Sequence, residues 1–134
     1  MKLSIIIPTR GRPHILGWTI NELAHKQSLK RDLYEIIVVN DNPEDMTVLN
    51  LDGLSKAGVI IVNSGGVGPA RARNIGASKA IGDILLFIGD DCIPSKHLLW
   101  RHLYDHTKDG PAIRAVQGYT RWHPDIPPDD FMNY

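Results

Sequence analysis

The stretch Ile84-Leu85-Leu86-Phe87-Ile88-Gly89-Asp90-Asp91-Cys92 joins an apolar run to two adjacent carboxylates. An apolar run of this length that ends at a turn signal is typical of a strand buried on both faces of a parallel sheet. Ligands of such sheets bind just beyond the carboxyl ends of the strands. Gly89 frees the backbone from strict strand alternation, so we expect the two carboxylates to converge there.

Asp90 and Asp91 are candidate ligands of a divalent metal. Two neighbouring carboxylates repel each other, and a hard cation relieves that repulsion. The pair therefore predicts a metal clamped to a phosphate-bearing substrate. The alternative is that Asp90 caps the following helix while Asp91 faces water, and these residues alone leave both interpretations open.

Composition indicates one globular domain over residues 1–134, with 43% hydrophobic and 22% charged residues. Fifteen basic and fifteen acidic residues cancel, which argues against a nucleic-acid partner or an attraction to anionic membranes. Cys92 is the only cysteine, so an internal disulfide is excluded. No segment approaches the roughly 18 apolar residues of a membrane span. We expect a cytoplasmic protein, with peripheral membrane attachment as the open alternative.

Strand and helix signals alternate along the chain, which predicts an α/β, Rossmann-like, mostly parallel sheet flanked by helices. The predicted strands cover 3–7, 35–39, 59–62, 84–88 and 113–119. The predicted helices start at Pro13 (buried stripe Ile15, Leu16, Ile20 and Leu23) and cover 45–57, 69–80 and 94–106. The chain ends without a stop signal, so we expect a domain truncated on its carboxyl-terminal side. An unfinished sheet edge could then pair two copies as a homo-oligomer.

Four loops should meet at one edge of this sheet because parallel strands all end there. They are Pro8–Arg12, Asn40–Asn42, Gly65–Asn74 and Asp90–Asp91. Thr9 offers a hydroxyl, Arg10 or Arg12 a phosphate-pairing guanidinium, and Asp41 an acceptor for a base N–H. The glycine-rich turn opens a helix whose amino end favours anions, and Arg71 and Arg73 would deepen that potential. Taken singly, each loop also fits plain turn chemistry.

Two common phosphate-binding loops are excluded. A dinucleotide fingerprint that began at Gly66 would need glycine or alanine where Arg71 stands. A Walker-type Gly-Lys-Ser/Thr sequence is absent as well.

Four motifs together make the chain recognisable. They are Ser4–Arg12 (SIIIPTRGR), Glu35–Asp41 (EIIVVND), Gly68–Ala77 (GPARARNIGA) and Gly82–Asp91 (GDILLFIGDD). Their order and spacing resemble those of glycosyltransferase family 2, whose members have the GT-A fold and use nucleotide sugars. The similarity extends from about Lys2 to Leu103.

The resemblance implies roles for individual residues. The implied substrate-binding set is Pro8, Thr9, Arg12, Asp41, Gly68, Arg71, Arg73 and Asp90. In that set Asp41 would read the base, often uracil, and Arg71 or Arg73 would lie near the diphosphate. Asp91 would hold Mn²⁺ or Mg²⁺, while Asp90 would contact the ribose or assist the metal. Many relatives carry aspartate where this chain has Gly89.

The function implied is transfer, with inversion, of a sugar from a nucleotide diphosphate, with UDP favoured, to an unknown acceptor hydroxyl of a glycan, lipid or small molecule. The alternative is a module that binds the nucleotide or nucleotide sugar without turnover, as a fragment or degenerate copy. A nucleotidyltransferase is a weaker third option. No catalytic base is named, because Asp125, Asp129 and Asp130 stand among prolines, which is typical of solvated loops.

Overall fold

A four-stranded parallel sheet forms the centre of the molecule. The computed structural model describes residues 1–42, 44, 57–110 and 112–125. The strands are β1 (Leu3–Thr9), β2 (Tyr34–Asn40), β3 (Val59–Asn63) and β4 (Ile84–Phe87), in the order β3-β2-β1-β4. Every neighbouring pair is parallel. The predicted α/β, Rossmann-like fold is therefore confirmed.

In the described part of the chain, three helices cover the two faces of the sheet: α1 (Pro13–His25), α2 (Pro69–Lys79) and α3 (Leu98–Thr107). A short 3-10 turn at Arg31–Leu33 precedes β2. Leu16 of α1 and Leu99 of α3 share one core cluster with Ile5. Ala72 of α2 packs against Ile6 on the opposite face. Strand alternation thus sends successive residues of β1 into two different cores.

Strand β1 runs two residues further than predicted, through Pro8 to Thr9. Ile6 accepts a backbone hydrogen bond from Ile88 on the β4 side. Alternate residues of a strand bond to the same neighbour, so a donor at position 8 would also face β4. Because β4 ends at Phe87, the missing N–H of Pro8 interrupts no ladder.

Strand β4 lies at an edge of the sheet and is buried on one face only, which corrects the prediction that it is buried on both. Ile84 and Leu86 are buried, whereas Leu85 and Phe87 are exposed. In the ladder with β1, Leu85 pairs with Ser4 and Phe87 pairs with Ile6. Ile6 packs on the α2 side of the sheet, so Leu85 and Phe87 point to that side as well. Helix α2 contacts β1 and β2, so it covers the centre of that face and leaves this edge open.

The predicted fifth strand over 113–119 is wrong, since residues 112–125 contain no strand. A strand needs a partner ladder, and this segment is held by side-chain contacts instead. Arg114 Nη1 donates to the carbonyl of Asp105 at 3.0 Å and pairs with Asp109 at 3.0 Å. Arg114 thus ties the start of this segment to the end of α3 and to Asp109, and the segment does not extend the sheet.

Helix α3 begins four residues later than predicted, at Leu98 rather than Pro94. The Ser95 carbonyl accepts from the Gln27 side chain, and the Lys96 carbonyl accepts from the Ser28 amide. Gln27 Oε1 also accepts the Leu99 amide at 3.3 Å. These contacts with the segment that follows α1 hold residues 95 and 96 outside the helix.

Two further points concern the helix predictions. Ile15 is exposed, so the buried stripe of α1 is Leu16, Thr19, Ile20 and Leu23. The predicted helix over 45–57 falls almost wholly outside the described residues. Within the described ranges, no helix has both the length and the apolarity needed to cross a membrane.

Candidate functional site

The loops at the carboxyl ends of the strands are joined to one another by hydrogen bonds. The Asp41 amide donates to the Thr9 carbonyl at 2.9 Å, and the Ser64 amide donates to the Asn40 carbonyl at 3.0 Å. The Thr9 hydroxyl donates to Asp90 Oδ2 at 2.7 Å. The predicted convergence of the loops after β1, β2, β3 and β4 at one edge is therefore present.

Asp90 is a buried carboxylate whose two oxygens are both engaged. Its side chain is 1% exposed, and Oδ1 lies 2.5 Å from Arg12 Nη2. Oδ2 accepts from Thr9 and, at 3.3 Å, from Arg12 Nε. The guanidinium and the Thr9 hydroxyl give this buried carboxylate the charged partner and the hydrogen bonds that burial requires. Asp90 does not cap a helix, because α3 starts only at Leu98.

Asp91 is the outward-facing carboxylate of the pair. Its side chain is 57% exposed, and Oδ2 lies 3.5 Å from Arg12 Nη1. A Cβ on Gly89 would lie 2.6 Å from Asp91 Oδ1, so the glycine leaves room for this carboxylate. Of the two acidic residues, Asp91 is therefore the one available to a cation or a substrate.

Asp41 is buried and holds the glycine-rich loop between β3 and α2. Oδ1 accepts from the Ser64 hydroxyl at 2.5 Å and the Val67 amide at 2.7 Å, while Oδ2 accepts from the Gly68 amide at 2.8 Å. Gly68 has φ +89°, where residues with a Cβ are strained. Two loop amides at the amino end of α2 are thus already bonded to this carboxylate, which acts there as the anion.

The surroundings of Asp41 lower its pKa. Burial alone raises the pKa, but the hydrogen bonds from Ser64, Val67 and Gly68 and the nearby charge of Arg10 outweigh it. The folded loop therefore favours the ionised form of Asp41.

The remaining predicted site residues lie further from the carboxylates. Pro8 is buried within β1 opposite Val39. Arg73 folds back along α2, with Nη1 3.3 Å from the Pro69 carbonyl. Arg71 lines a shallow groove on the exposed side of α2 with Val67, Asn74, Ile75 and Ser78. Among the described residues, no hydrogen bond or ion pair joins either arginine to Asp41, Asp90 or Asp91.

Two residues of the site were missed at the level of sequence. Ser64 lies directly after β3, and its hydroxyl donates to Asp41. Thr19 is buried in α1, and its hydroxyl lies 2.7 Å from the carbonyl oxygens of both Asp90 and Cys92. The available signal was a polar residue within the apolar stripe of α1, between Leu16 and Leu23.

The donor set suits a metal site that a substrate completes. Both Asp90 oxygens are engaged, so Asp91 is the carboxylate of the pair with room for a cation. In the described part of the chain, no three carboxylate, imidazole or thiolate groups converge. Mg²⁺ is commonly held by one or two carboxylates together with substrate phosphates and water. The residues present fit that arrangement.

Comparison with known proteins agrees with this geometry. Residues 4–126 match the model of Glycosyl transferase family 2. The chain is 32% identical over 108 residues to the poly(ribitol-phosphate) beta-N-acetylglucosaminyltransferase TarS of Staphylococcus aureus, covering 74% of this chain and 18% of TarS. It is 33% identical over 89 residues to an uncharacterized glycosyltransferase of Haemophilus influenzae, covering 66% and 29% of the two chains.

Solved structures show the same likeness. The structure of S. aureus TarS 1-349 in complex with UDP-GlcNAc superposes with a TM-score of 0.72 at 25% identity, covering 81% of this chain and 32% of that one. The chain thus spans about a third or less of the relatives it matches. With the family model matched over 4–126 and the fold shared, the chain belongs to glycosyltransferase family 2 and has its GT-A, Rossmann-like fold.

Proposed function

We propose that this chain is the donor-binding part of a glycosyltransferase that moves a sugar from a nucleotide diphosphate sugar to an acceptor hydroxyl. One observation carries the proposal: Thr9 contacts both Asp41, through its carbonyl, and Asp90, through its hydroxyl. A single residue therefore ties the backbone of Asp41, the proposed base reader, to the acidic turn. Family membership supports the activity, and the TarS complexes with UDP and UDP-GlcNAc support a uridine nucleotide.

Asp41 is proposed to serve the base end of the donor. A carboxylate has about four acceptor positions, and the loop uses three of those on Asp41. Oδ2, which carries only the Gly68 bond, keeps room for a base N–H. Asp41 would then hold the loop and read the base together.

The acidic turn is proposed to serve the diphosphate end. Asp91 would hold Mn²⁺ or Mg²⁺, and Asp90 would keep Arg12 in place beside it. A bound divalent cation supplies Lewis-acid stabilisation of the departing nucleoside diphosphate. Arg12, which is half-exposed, is placed to pair with a phosphate oxygen as well. Arg71 and Arg73 remain proposed contacts of the diphosphate, which would require their side chains to leave the positions described above.

Inversion is proposed for the transfer, because direct attack by the acceptor oxygen inverts the anomeric carbon in one displacement. The acceptor hydroxyl must lose a proton to a base. Asp125 lies 3.6 Å from His123, and its side chain is 88% exposed. It is therefore a solvent-exposed carboxylate, and no catalytic base is assigned.

The test is calorimetric titration of UDP into the chain with and without Mn²⁺, for the wild type, Asp91→Asn and Asp32→Asn. Asp32 is an exposed aspartate before β2, at the opposite edge of the sheet, and serves as the matched control. We expect Mn²⁺ to strengthen UDP binding by about tenfold or more, the gain expected of roughly 1.4 kcal/mol. Asp91→Asn should abolish the gain and Asp32→Asn should retain it.

Two results would count against the proposal. UDP binding that is equal with and without metal in all three proteins would remove the metal from the donor site. If UDP, GDP and dTDP all failed to bind, the nucleotide site itself would be refuted. Release of UDP from UDP-GlcNAc, followed over time, separates the transferase from a module that only binds.

A further inference from the structure

We infer that Thr19 is a positioning residue of the acidic turn, and that its hydroxyl sets the direction in which Asp91 faces the donor. This inference rests on the proposed function of Asp91. It concerns a helix residue whose hydroxyl contacts the backbone of the turn.

The backbone needs such a support because the sheet ends just before the turn. The last backbone hydrogen bond between β4 and β1 runs from the Ile88 amide, just after β4, to the Ile6 carbonyl. Beyond it, the carbonyl oxygens of Asp90 and Cys92 each lie 2.7 Å from Thr19 Oγ1. The two carbonyls flank Asp91, so a single hydroxyl holds the backbone on both sides of the exposed carboxylate.

The chemistry of threonine suits this place. Thr19 is 1% exposed, in the stripe of α1 that packs on the sheet. Its methyl group can occupy the apolar side while the hydroxyl reaches the turn. One hydroxyl has one proton, so the two carbonyls share a donor rather than binding one each. Removing that donor leaves both carbonyls without it in a buried setting, which favours a shift of the turn.

A shift of the turn would change the direction of Asp91 more than that of Asp90. Asp90 is fixed by Arg12 and Thr9. Among the described residues, the side chain of Asp91 makes one long polar contact, 3.5 Å to Arg12. The direction of Asp91 is therefore set mainly by its backbone. Helix α1 controls that backbone through Thr19.

The experiment compares Thr19→Val, which keeps the shape and removes the hydroxyl, with Thr19→Ser, which keeps the hydroxyl. Thr107→Val is the control, because Thr107 also places one hydroxyl near two carbonyls, those of Leu103 and Tyr104, on α3. Two quantities are measured: the Mn²⁺-dependent gain in UDP affinity, and hydrogen exchange of the amides at 89–92.

We expect Thr19→Val to reduce the metal-dependent gain by about fivefold to tenfold, while metal-free UDP affinity changes less than about twofold, in line with one lost hydrogen bond. Exchange at 89–92 should quicken by about tenfold. Thr19→Ser should keep most of the gain, and Thr107→Val all of it. A purely structural role would weaken metal-free and metal-dependent binding alike.

The inference is overturned if Thr19→Val leaves the metal-dependent gain and the exchange unchanged, or if Thr19→Ser loses as much as Thr19→Val. If the UDP affinity of the wild type were the same with and without Mn²⁺, the proposed metal role of Asp91 would be refuted instead. The exchange measurement would then decide on its own whether Thr19 holds the turn.

Discussion

The guanidinium of Arg12 contacts Asp90 with two of its nitrogens, Nη2 at 2.5 Å from Oδ1 and Nε at 3.3 Å from Oδ2. Its remaining nitrogen, Nη1, lies 3.5 Å from Asp91 Oδ2. Arg12 is thus the positive charge between two carboxylates that would otherwise repel each other. A metal that binds the Asp91 carboxylate would therefore compete with the Arg12 guanidinium for it.

Replacing Arg12 by glutamine should therefore change two affinities in opposite directions. Mn²⁺ alone should bind more tightly, by about threefold, because a competing cation is gone. UDP in the presence of Mn²⁺ should bind more weakly, because a phosphate partner is lost. Manganese binding followed by electron paramagnetic resonance and UDP calorimetry measure the two. Arg101→Gln is the control, because it removes an arginine that pairs with an aspartate on α3, away from the site. Equal changes in both affinities would contradict the view that Arg12 and the metal share Asp91.

The same substitution should cost stability. Asp90 is buried, and Arg12 is its charged partner. Removing one member of a buried pair costs about 3–5 kcal/mol, but solvent reaches half of the arginine, so about 1–2 kcal/mol is expected. Urea unfolding measures it, and a variant as stable as the wild type would show that Thr9 and water suffice for Asp90.

Asp41→Asn should loosen the glycine-rich loop and remove a pH dependence. An asparagine can accept only through one oxygen, so at least one loop donor loses its partner, at a cost of about 1–3 kcal/mol. The wild-type pKa of Asp41 is lowered by folding. Its stabilisation is therefore complete above the unfolded pKa of about 3.9 and is lost as the pH falls through the lower folded value.

The measurement for Asp41 is urea unfolding from pH 7 to pH 2. The wild type should lose stability below about pH 4, and part of that loss should be absent from Asp41→Asn. Parallel curves for the two proteins would mean that other carboxylates carry the acid dependence.

Two helical glycines give a matched pair for packing. A Cβ on Gly76 in α2 would lie 2.5 Å from Ile6 Cγ2 and 2.9 Å from Val39 Cγ2, whereas one on Gly17 in α1 would meet nothing within 4 Å. Gly76→Ala should cost about 1–3 kcal/mol through overpacking between helix and sheet. Gly17→Ala should gain about 0.5–1 kcal/mol from helix propensity. Urea unfolding of both tests this, and equal signs would contradict it.

Gly89→Ala should alter the site more than the fold. Its Cβ would lie 2.6 Å from Asp91 Oδ1, the far end of a side chain that can rotate away. We expect less than about 1 kcal/mol of lost stability and a weaker Mn²⁺-dependent gain in UDP affinity, by about threefold or more. Calorimetry decides this, and an undiminished gain would show that Asp91 binds from another direction.

Local patterning determined most of the architecture. Apolar runs that end at Asn40-Asp41 or at Gly89-Asp90 mark strands of a parallel sheet, although β4 turned out to be covered on one face only. Pro13 and Pro69 mark the starts of α1 and α2. Strand and helix alternation then brings the four loops to one edge, because parallel strands leave no other arrangement. The order and spacing of the four motifs also indicated the family, which the family model confirms.

Tertiary contacts decided the rest. Whether residues 113–119 form a strand depends on a partner ladder that no local signal specifies. The exposure of Leu85 and Phe87 depends on which neighbours cover β4. Likewise, Asp90 faces inward to Arg12 while Asp91 faces outward, although both are aspartates after one glycine.

The contrast has one physical reason. Periodicity, turns and caps are properties of residues close together along the chain, so the sequence by itself determined the elements, their order and the edge at which the loops meet. Hydrogen bonds such as Thr9 to Asp90 or Thr19 to the Cys92 carbonyl join residues more than 70 positions apart. Only the packed structure decided which of the two carboxylates is buried, which one faces solvent, and which hydroxyl contacts the backbone of their turn.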